Sequence, residues 1–216
     1  MRKRFLLAFL LMGFSFTIIQ GLMIRELLVS FYGNELSIGL ILGNWLVLEA
    51  VGSGLIRRLA AWYRAAPAPY ALLQIVLAVM LPLSLYGAFT VRNIVGVTAG
   101  QGVGLGGIFS SSLLILAPLG LADGAMFAFG AHAYAQLTGR EVSGIGQVYV
   151  YEAVGGMIGG LIFTYLLIPN LSSLQIALVL AALNLVSALS LLRPCSFSSP
   201  LPFSSRPWRG HSTAGW

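Results

Sequence analysis

Three acidic residues, Glu49, Asp123 and Glu152, lie inside long apolar stretches of this 216-residue chain. A charged side chain in the middle of a membrane helix costs roughly 2.5–3.5 kcal/mol on insertion scales, so such residues usually face the protein interior and serve a function. No Lys or Arg lies deep in any of these stretches. The carboxyls therefore fit a site for protons or for an organic cation. The alternative interpretation is that they are neutral, hydrogen-bonded structural groups.

Helical spacing predicts the direction in which these acids point. Glu152 shares a helical face with Tyr149 and with four glycines that follow at offsets of three, four, seven and eight residues. A face of small residues lets a neighbouring helix approach closely, so we expect Glu152 to point into a helix bundle. The same spacing argument turns Glu49 and Asp123 inward. The helix-packing glycines are Gly155, Gly156, Gly159 and Gly160.

Other polar residues of the apolar stretches are candidate partners for the acids. A buried carboxyl can be protonated, can bind a cation that comes and goes, or can hydrogen-bond to an amide on another helix. His132 either relays protons to the acids or is a packed, hydrogen-bonded histidine. The amides available on other stretches are Gln20, Asn44, Gln74 and Asn184.

Composition indicates which elements must position these residues. Hydrophobic residues make up 58% of the chain and charged residues only 8%, whereas a soluble domain carries about 25% charged residues. This excludes a soluble enzyme, and the single cysteine, Cys195, excludes a disulfide scaffold. The sequence predicts an all-α, polytopic membrane helix bundle. Nucleic acid is not an expected partner, because the basic residues form short clusters between apolar stretches.

Six stretches are long enough to span a membrane, which takes about 20 mostly apolar residues. The fourth exceeds ~25 residues, so it must tilt, kink at Pro118 or begin as an interfacial segment. Residues 1–193 form the predicted transmembrane domain, and residues 194–216 a disordered cytoplasmic tail. The predicted spans are Phe5–Ile24, Leu36–Leu55, Tyr70–Thr90, Gly107–Leu137, Gly146–Ile168 and Ser173–Leu192.

The distribution of basic residues predicts the orientation of the chain. With six spans, ten basic residues fall on the side of the two termini, and only Arg25 and Arg92 fall on the other side. Cytoplasmic loops carry the excess of Lys and Arg, so both termini are predicted to be cytoplasmic, in the inner membrane of the cell.

Two further parts of the sequence could carry chemistry. Residues 102–107 satisfy G-x-G-x-x-G, but they precede a membrane span rather than following a strand in a soluble βαβ unit, so no cofactor is predicted. No His cluster has metal-ligand spacing, and no nucleophile is paired with a base, so no metal and no catalytic residue are predicted. On the far side, Arg25 and Glu26 begin a predicted short interfacial helix. Gly33 and Asn34 predict a turn before Glu35.

Two groups of residues carry a resemblance to known proteins. They are Gln20, Arg25–Leu28, Gly33–Leu36, Trp45-Leu46 and Gly52-Ser53, then Gly146–Tyr149, Glu152-Ala153, Gly155, Gly159-Gly160 and Leu166–Pro169. In these residues the sequence is similar to the membrane region of fused transporter/spermidine synthase-like proteins. The six spans also resemble one six-helix half of a major facilitator transporter. The loop motif of that superfamily is matched at 52–58, but its usual aspartate is missing, which puts the gating role of the loop in doubt.

The resemblance implies a transporter-like module with a polyamine as the leading substrate. In the fused proteins a cytoplasmic aminopropyltransferase domain follows the spans. The 24 residues after Leu192 are too few for it, so we expect no synthase activity from this chain alone and interpret it as a truncated product or one half of a split pair. A six-helix half is expected to dimerise or to pair with a second membrane half. The alternative is a non-transporting anchor in the bilayer for a separate cytoplasmic synthase-like subunit.

Overall fold

A computed structural model describes residues 2–33, 35–60, 67–96, 103–138 and 141–192. These ranges are helical and contain no strand, which confirms the predicted all-α class for the part of the chain that is described. The predicted tail lies outside the described residues. The helices are α1 (Arg2–Phe31), α2 (Glu35–Ala60), α3 (Pro67–Val95), α4 (Leu105–Thr138), α5 (Glu141–Ile162), α6 (Ile168–Asn170) and α7 (Ser173–Leu192), with a π-helical turn (Phe163–Leu167) between α5 and α6.

Six of these segments are long and apolar enough to cross a membrane, as the sequence predicts. Several helices run past the predicted spans, because a helix can continue beyond its apolar part by satisfying its own backbone hydrogen bonds. The six segments are Phe5–Phe31, Glu35–Arg57, Ala68–Val95, Leu105–Gln136, Ile145–Asn170 and Ser173–Leu192.

The predicted interfacial helix at Arg25 and Glu26 is wrong. Both residues lie in the last turns of α1, which continues without a break to Phe31. The helix ends where Tyr32 adopts a positive φ of 49°, and the Gly33 N–H donates to a carbonyl of the last helical turn at 3.1 Å. A left-handed residue directly after a helix is a common way to satisfy its last carbonyls.

The fourth span is one continuous helix of 34 residues with Pro118 inside it. At 1.5 Å per residue α4 is about 51 Å long, which exceeds the ~30 Å hydrocarbon core of a bilayer. The helix must therefore tilt or extend beyond the hydrocarbon core at one or both of its ends.

The helices pack mainly in three pairs, α1 with α5, α2 with α4, and α3 with α7. Among the six apolar segments, α1 is the most buried and the α5 segment the least. The α1–α5 pair is held at backbone contact, because a Cβ on Gly155 would lie 2.0 Å from the carbonyl oxygen of Leu10. The α2–α4 pair is equally close, since a Cβ on Gly52 would lie 2.3 Å from the carbonyl oxygen of Leu121.

Buried amides tie the helix pairs together. Asn44 on α2 donates from Nδ2 to the Phe109 carbonyl at 2.9 Å and to the Ser112 hydroxyl at 2.8 Å on α4. The Gln74 amide donates to a hydroxyl on α7 at 2.9 Å, and the Asn184 amide donates to a hydroxyl on α1 at 3.0 Å. The hypothesis that these three amides serve the acids is therefore wrong: their N–H groups hold helices together.

Replacing Asn44 with leucine should weaken the α2–α4 contact. Interhelical hydrogen bonds in membrane proteins contribute about 0.6–2 kcal/mol each, so we expect the melting temperature to fall by about 2–4 °C. Thermal unfolding of the detergent-solubilised chain, followed by circular dichroism, measures the change. The control is Asn93→Leu, because Asn93 is exposed on α3. An equal melting temperature for Asn44→Leu and the parent would contradict the assigned role.

Candidate functional site

A cavity of about 570 Å³ lies between α1, α2, α4 and α5, and the three intramembrane acids all line it. Glu49 comes from α2, Asp123 from α4 and Glu152 from α5, so residues more than 100 positions apart meet at one place. The other lining residues are Gly13, Phe16, Thr17, Gln20, Trp45, Leu46, Phe127, Tyr149, Ala153 and Gly156.

Close backbone contacts position two of the acids. A Cβ on Gly13 of α1 would lie 1.9 Å from the carbonyl oxygen of Glu152, and a Cβ on Gly124 of α4 would lie 1.9 Å from the carbonyl oxygen of Glu49. Any side chain at either glycine would force the helices apart. Each glutamate is therefore held at a point where two helices touch, with its side chain at the cavity.

Asp123 is the most buried of the three acids, with 6% of its surface exposed. Its Oδ2 accepts a hydrogen bond from the indole N–H of Trp45 at 3.2 Å. Trp45 lies four residues before Glu49 on α2, so helical spacing puts the two on one face but does not indicate that Trp45 contacts Asp123. The two residues are 78 positions apart, so no local pattern could reveal the contact.

Glu49 and Glu152 are half-buried at the cavity. Neither carboxylate hydrogen-bonds to another residue in the described ranges, and none of the described residues that line the cavity is a Lys or Arg. Two carboxylates therefore face an acidic cavity with no cationic neighbour on its wall. Such an arrangement favours the entry of a cation from outside the protein.

Tyr149 and Gln20 also line the same cavity. Tyr149 is largely exposed. Gln20 is the member of the predicted amide set that lines the cavity. A phenol and an amide beside three carboxyls add neutral polar groups that can orient a ligand.

His132 lies in a different place from the acids. It lines a second cavity of about 580 Å³ together with Arg57, and its Nε2 lies 2.8 Å from Nε2 of Gln136. The two cavities share one wall residue, Phe127. The structure therefore does not bring His132 into the acid-lined cavity, where a relay to the acids would need it.

The glycine face of α5 is turned toward α1. Gly155 and Gly159 are buried against α1, and a Cβ on Gly159 would lie 2.6 Å from the carbonyl oxygen of Phe14. Gly156 lines the cavity, while a Cβ on Gly160 would make ordinary contact at 3.7 Å with a methyl group of α1. These glycines therefore allow α1 to pack closely against α5, and Glu152 lies beside that contact, where it lines the cavity.

The residues predicted as a family-motif loop lie away from the cavity. Arg25 is exposed, and the carboxylate of Glu26 accepts a hydrogen bond from the Ser173 hydroxyl of α7. Gly33 forms the turn after α1, and Glu35 is exposed at the start of α2. Asn34 lies outside the described residues. The Glu26 contact ties the end of α1 to the start of α7.

Within the described ranges, no group of three or more His, Cys, Asp or Glu side chains is arranged to hold a metal ion. The three acids therefore form a shared cavity wall rather than a compact ligand set. No protein family, no curated protein and no solved structure matches this chain.

Proposed function

We propose that this protein is an integral membrane module that binds a small cation in the acid-lined cavity and moves it across the bilayer. One observation carries the proposal: Glu49, Asp123 and Glu152, far apart in sequence, line a single cavity with no basic residue among its described wall residues. Burying carboxyls in apolar helices is costly, and such residues commonly mark the path of an ion or a proton.

In the proposed orientation the six long helices cross the inner membrane with both termini in the cytoplasm. The distribution of ten basic residues on one side against two on the other supports it. Arg92 is one of the two basic residues on the opposite side. Its guanidinium lies 4.1 Å from the ring centre of Tyr32, at the end of the bundle where α1 and α3 terminate. Arg25 lies in the last turns of α1, near the same end.

The cargo that fits this cavity is a polyamine or a proton. The resemblance of the chain to fused transporter/spermidine synthase-like proteins favours the polyamine. The cavity also offers aromatic faces at Phe16, Trp45, Phe127 and Tyr149. Ammonium groups bind such faces with about 0.5–2 kcal/mol each, in addition to their attraction to carboxylates.

Uptake by reconstituted vesicles tests this function. The wild-type chain should accumulate radiolabelled spermidine, or move protons detected by an enclosed pH-sensitive dye, and Asp123→Asn should abolish that flux. The amide keeps the size of the side chain and its acceptor for the Trp45 N–H, so folding should be retained. Glu35→Gln is the control, because Glu35 is exposed and does not line the cavity.

Unchanged flux in folded Asp123→Asn would remove the proposed mechanism. If wild-type vesicles move neither spermidine nor protons, transport of either cation is excluded. The result would then favour the anchor hypothesis. That hypothesis predicts that a synthase-like soluble protein co-purifies with the chain in mild detergent.

A further inference from the structure

The second cavity, of about 580 Å³, is lined by residues of α2, α4 and α5 and differs in charge from the acid-lined cavity. Arg57 of α2 and His132 and Gln136 of α4 supply its polar groups, and none of the described residues that line it is acidic. A cation in this cavity would meet the charge of Arg57 with no carboxylate on the described wall to offset it. The wall therefore favours an anion, and the proposed function leaves this cavity unused.

The polar residues of the second cavity stand where the apolar helix segments end. Arg57 and Gln136 are the last residues of the apolar segments of α2 and α4, and Ile145 is the first residue of the apolar segment of α5. With these segments in a bilayer, this part of the cavity lies at the level of the lipid head groups.

The rest of the cavity wall is apolar and lies deeper in the bundle. Phe127 and Ala128 precede Gln136 by nine and eight residues, which is about 12–14 Å along a helix. Ala131 and Ala135 line the cavity between them and contribute only methyl groups. The wall therefore changes from polar at the helix ends to apolar further in. A phospholipid has the same order, with its charged head group at the membrane surface and its acyl chains below.

The two helices that flank α4 at this cavity are open to the surrounding lipid. The α2 and α5 segments are the two least buried of the six, and both helices pack on α4. Ile145 is exposed at the α5 side of the cavity. A lipid from the adjoining leaflet can therefore reach this wall of α4 without passing through the centre of the bundle.

Arg57 and His132 both offer hydrogen-bond donors that suit a phosphate. A guanidinium presents its N–H groups as a planar fork that matches two phosphate oxygens. The Nε2 atom of His132 lies 2.8 Å from the amide nitrogen of Gln136. Because an amide nitrogen can only donate, the ring accepts at Nε2 in this arrangement and carries its proton on Nδ1. The Nδ1–H group is then a second donor on a residue of the same wall.

We propose that the second cavity binds the phosphate head group of an anionic phospholipid, with the upper part of an acyl chain against Phe127, Ala128 and Ala131. Basic pockets between membrane helices on the cytoplasmic side bind anionic lipid head groups, and the proposed orientation places Arg57 on that side. A free phosphate ion would use only the polar part of the wall, so the apolar part favours a lipid. The bound lipid would contact α2, α4 and α5 together.

Native mass spectrometry of the full chain in mild detergent tests this site. Dioleoylphosphatidylglycerol should bind at one site about fivefold more tightly than dioleoylphosphatidylcholine, which has the same acyl chains and a phosphate but no net charge. Arg57→Gln should reduce the affinity for phosphatidylglycerol to that for phosphatidylcholine. The matched control is Arg25→Gln, which removes an exposed arginine near the opposite end of the bundle and should leave the affinity unchanged.

Filling the apolar part of the cavity is a second test. Ala128→Phe should lower the affinity for phosphatidylglycerol severalfold although Arg57 is retained. Ala50→Phe makes the same change at an exposed position of α2 that does not line the cavity, and it should have no effect. If Ala128→Phe does not fold, Arg57→Gln still decides the question, because the Arg57 side chain is exposed and its replacement should not prevent folding.

Unchanged affinity for phosphatidylglycerol in Arg57→Gln would contradict the site. An equal loss in Arg25→Gln would also contradict it, since the attraction would then be a non-specific effect of surface charge. Thermal unfolding separates the lipid from a free anion: phosphatidylglycerol should raise the melting temperature, whereas sodium phosphate at matched ionic strength should not. Equal stabilisation by sodium phosphate would overturn the assignment of a lipid. None of these measurements involves cation uptake, so the site and the proposed function can fail separately.

Discussion

Replacing Gly155 with leucine should prevent the chain from forming its native bundle. A Cβ at this position would lie 2.0 Å from the carbonyl oxygen of Leu10 and 3.0 Å from the backbone nitrogen of Phe14. These are backbone atoms of a helix, so no side-chain rotation can relieve the overlap and α1 must move away from α5. Ordinary overpacking costs about 1–3 kcal/mol, and displacing a whole helix should cost more.

Gel filtration and thermal unfolding in detergent measure this effect. Gly155→Leu should elute as aggregate or melt far below the parent, and Gly52→Leu should behave in the same way at the α2–α4 contact. Gly146→Leu and Gly43→Leu are matched controls on the same two helices, because nothing lies within 4 Å of a Cβ at either position. If Gly155→Leu had the same melting temperature as the parent, α1 and α5 would not be in backbone contact at this position.

Glu49→Gln and Glu152→Gln should each reduce cation uptake, and by similar factors. A hydrogen bond to a charged group contributes about 1.5–3 kcal/mol, which corresponds to a loss of roughly tenfold to a hundredfold. Similar factors are expected because the two glutamates occupy equivalent positions at equivalent helix contacts.

Initial rates of spermidine uptake and of proton movement in reconstituted vesicles measure these losses. Glu26→Gln is the control: it makes the same chemical change at a residue that contacts Ser173 and does not line the cavity. A large loss in one glutamate variant with native rates in the other would contradict their equivalence. Native rates in both would contradict a role for either carboxylate in transport.

The number and class of the helices could be predicted from the sequence alone. Each apolar stretch is long enough to cross a bilayer, and Gly, Pro or basic residues separate the stretches. The last span is an example: hydropathy of neighbouring residues predicts its two ends, and α7 begins at Ser173 and ends at Leu192 as predicted. The end of α1 does not follow from hydropathy, since the helix continues through the charged residues Arg25 and Glu26 by its own backbone hydrogen bonds.

The inward direction of Glu152 could also be argued from the glycines on its helical face, because the 3.6-residue period of a helix is a local property. The identity of the helix that packs on those glycines is not local. Hydropathy treats every apolar helix alike, so it does not distinguish α1 from α3 or α7 as the partner of α5. The amides show the same limit, since Asn44 and Asn184 hold helices together rather than meeting the acids.

The sequence by itself determined that this protein has six long apolar helices and that Glu49, Asp123 and Glu152 lie well inside their apolar stretches, because length, hydropathy and helical period are encoded in neighbouring residues. Only the tertiary structure decided that Glu49, Asp123 and Glu152 share one cavity, that Trp45 binds Asp123 and that His132 lies elsewhere. The physical reason is that these contacts join residues on different helices. These contacts depend on which helix backbones approach most closely. Here glycines allow the close approach of α1 to α5 and of α2 to α4.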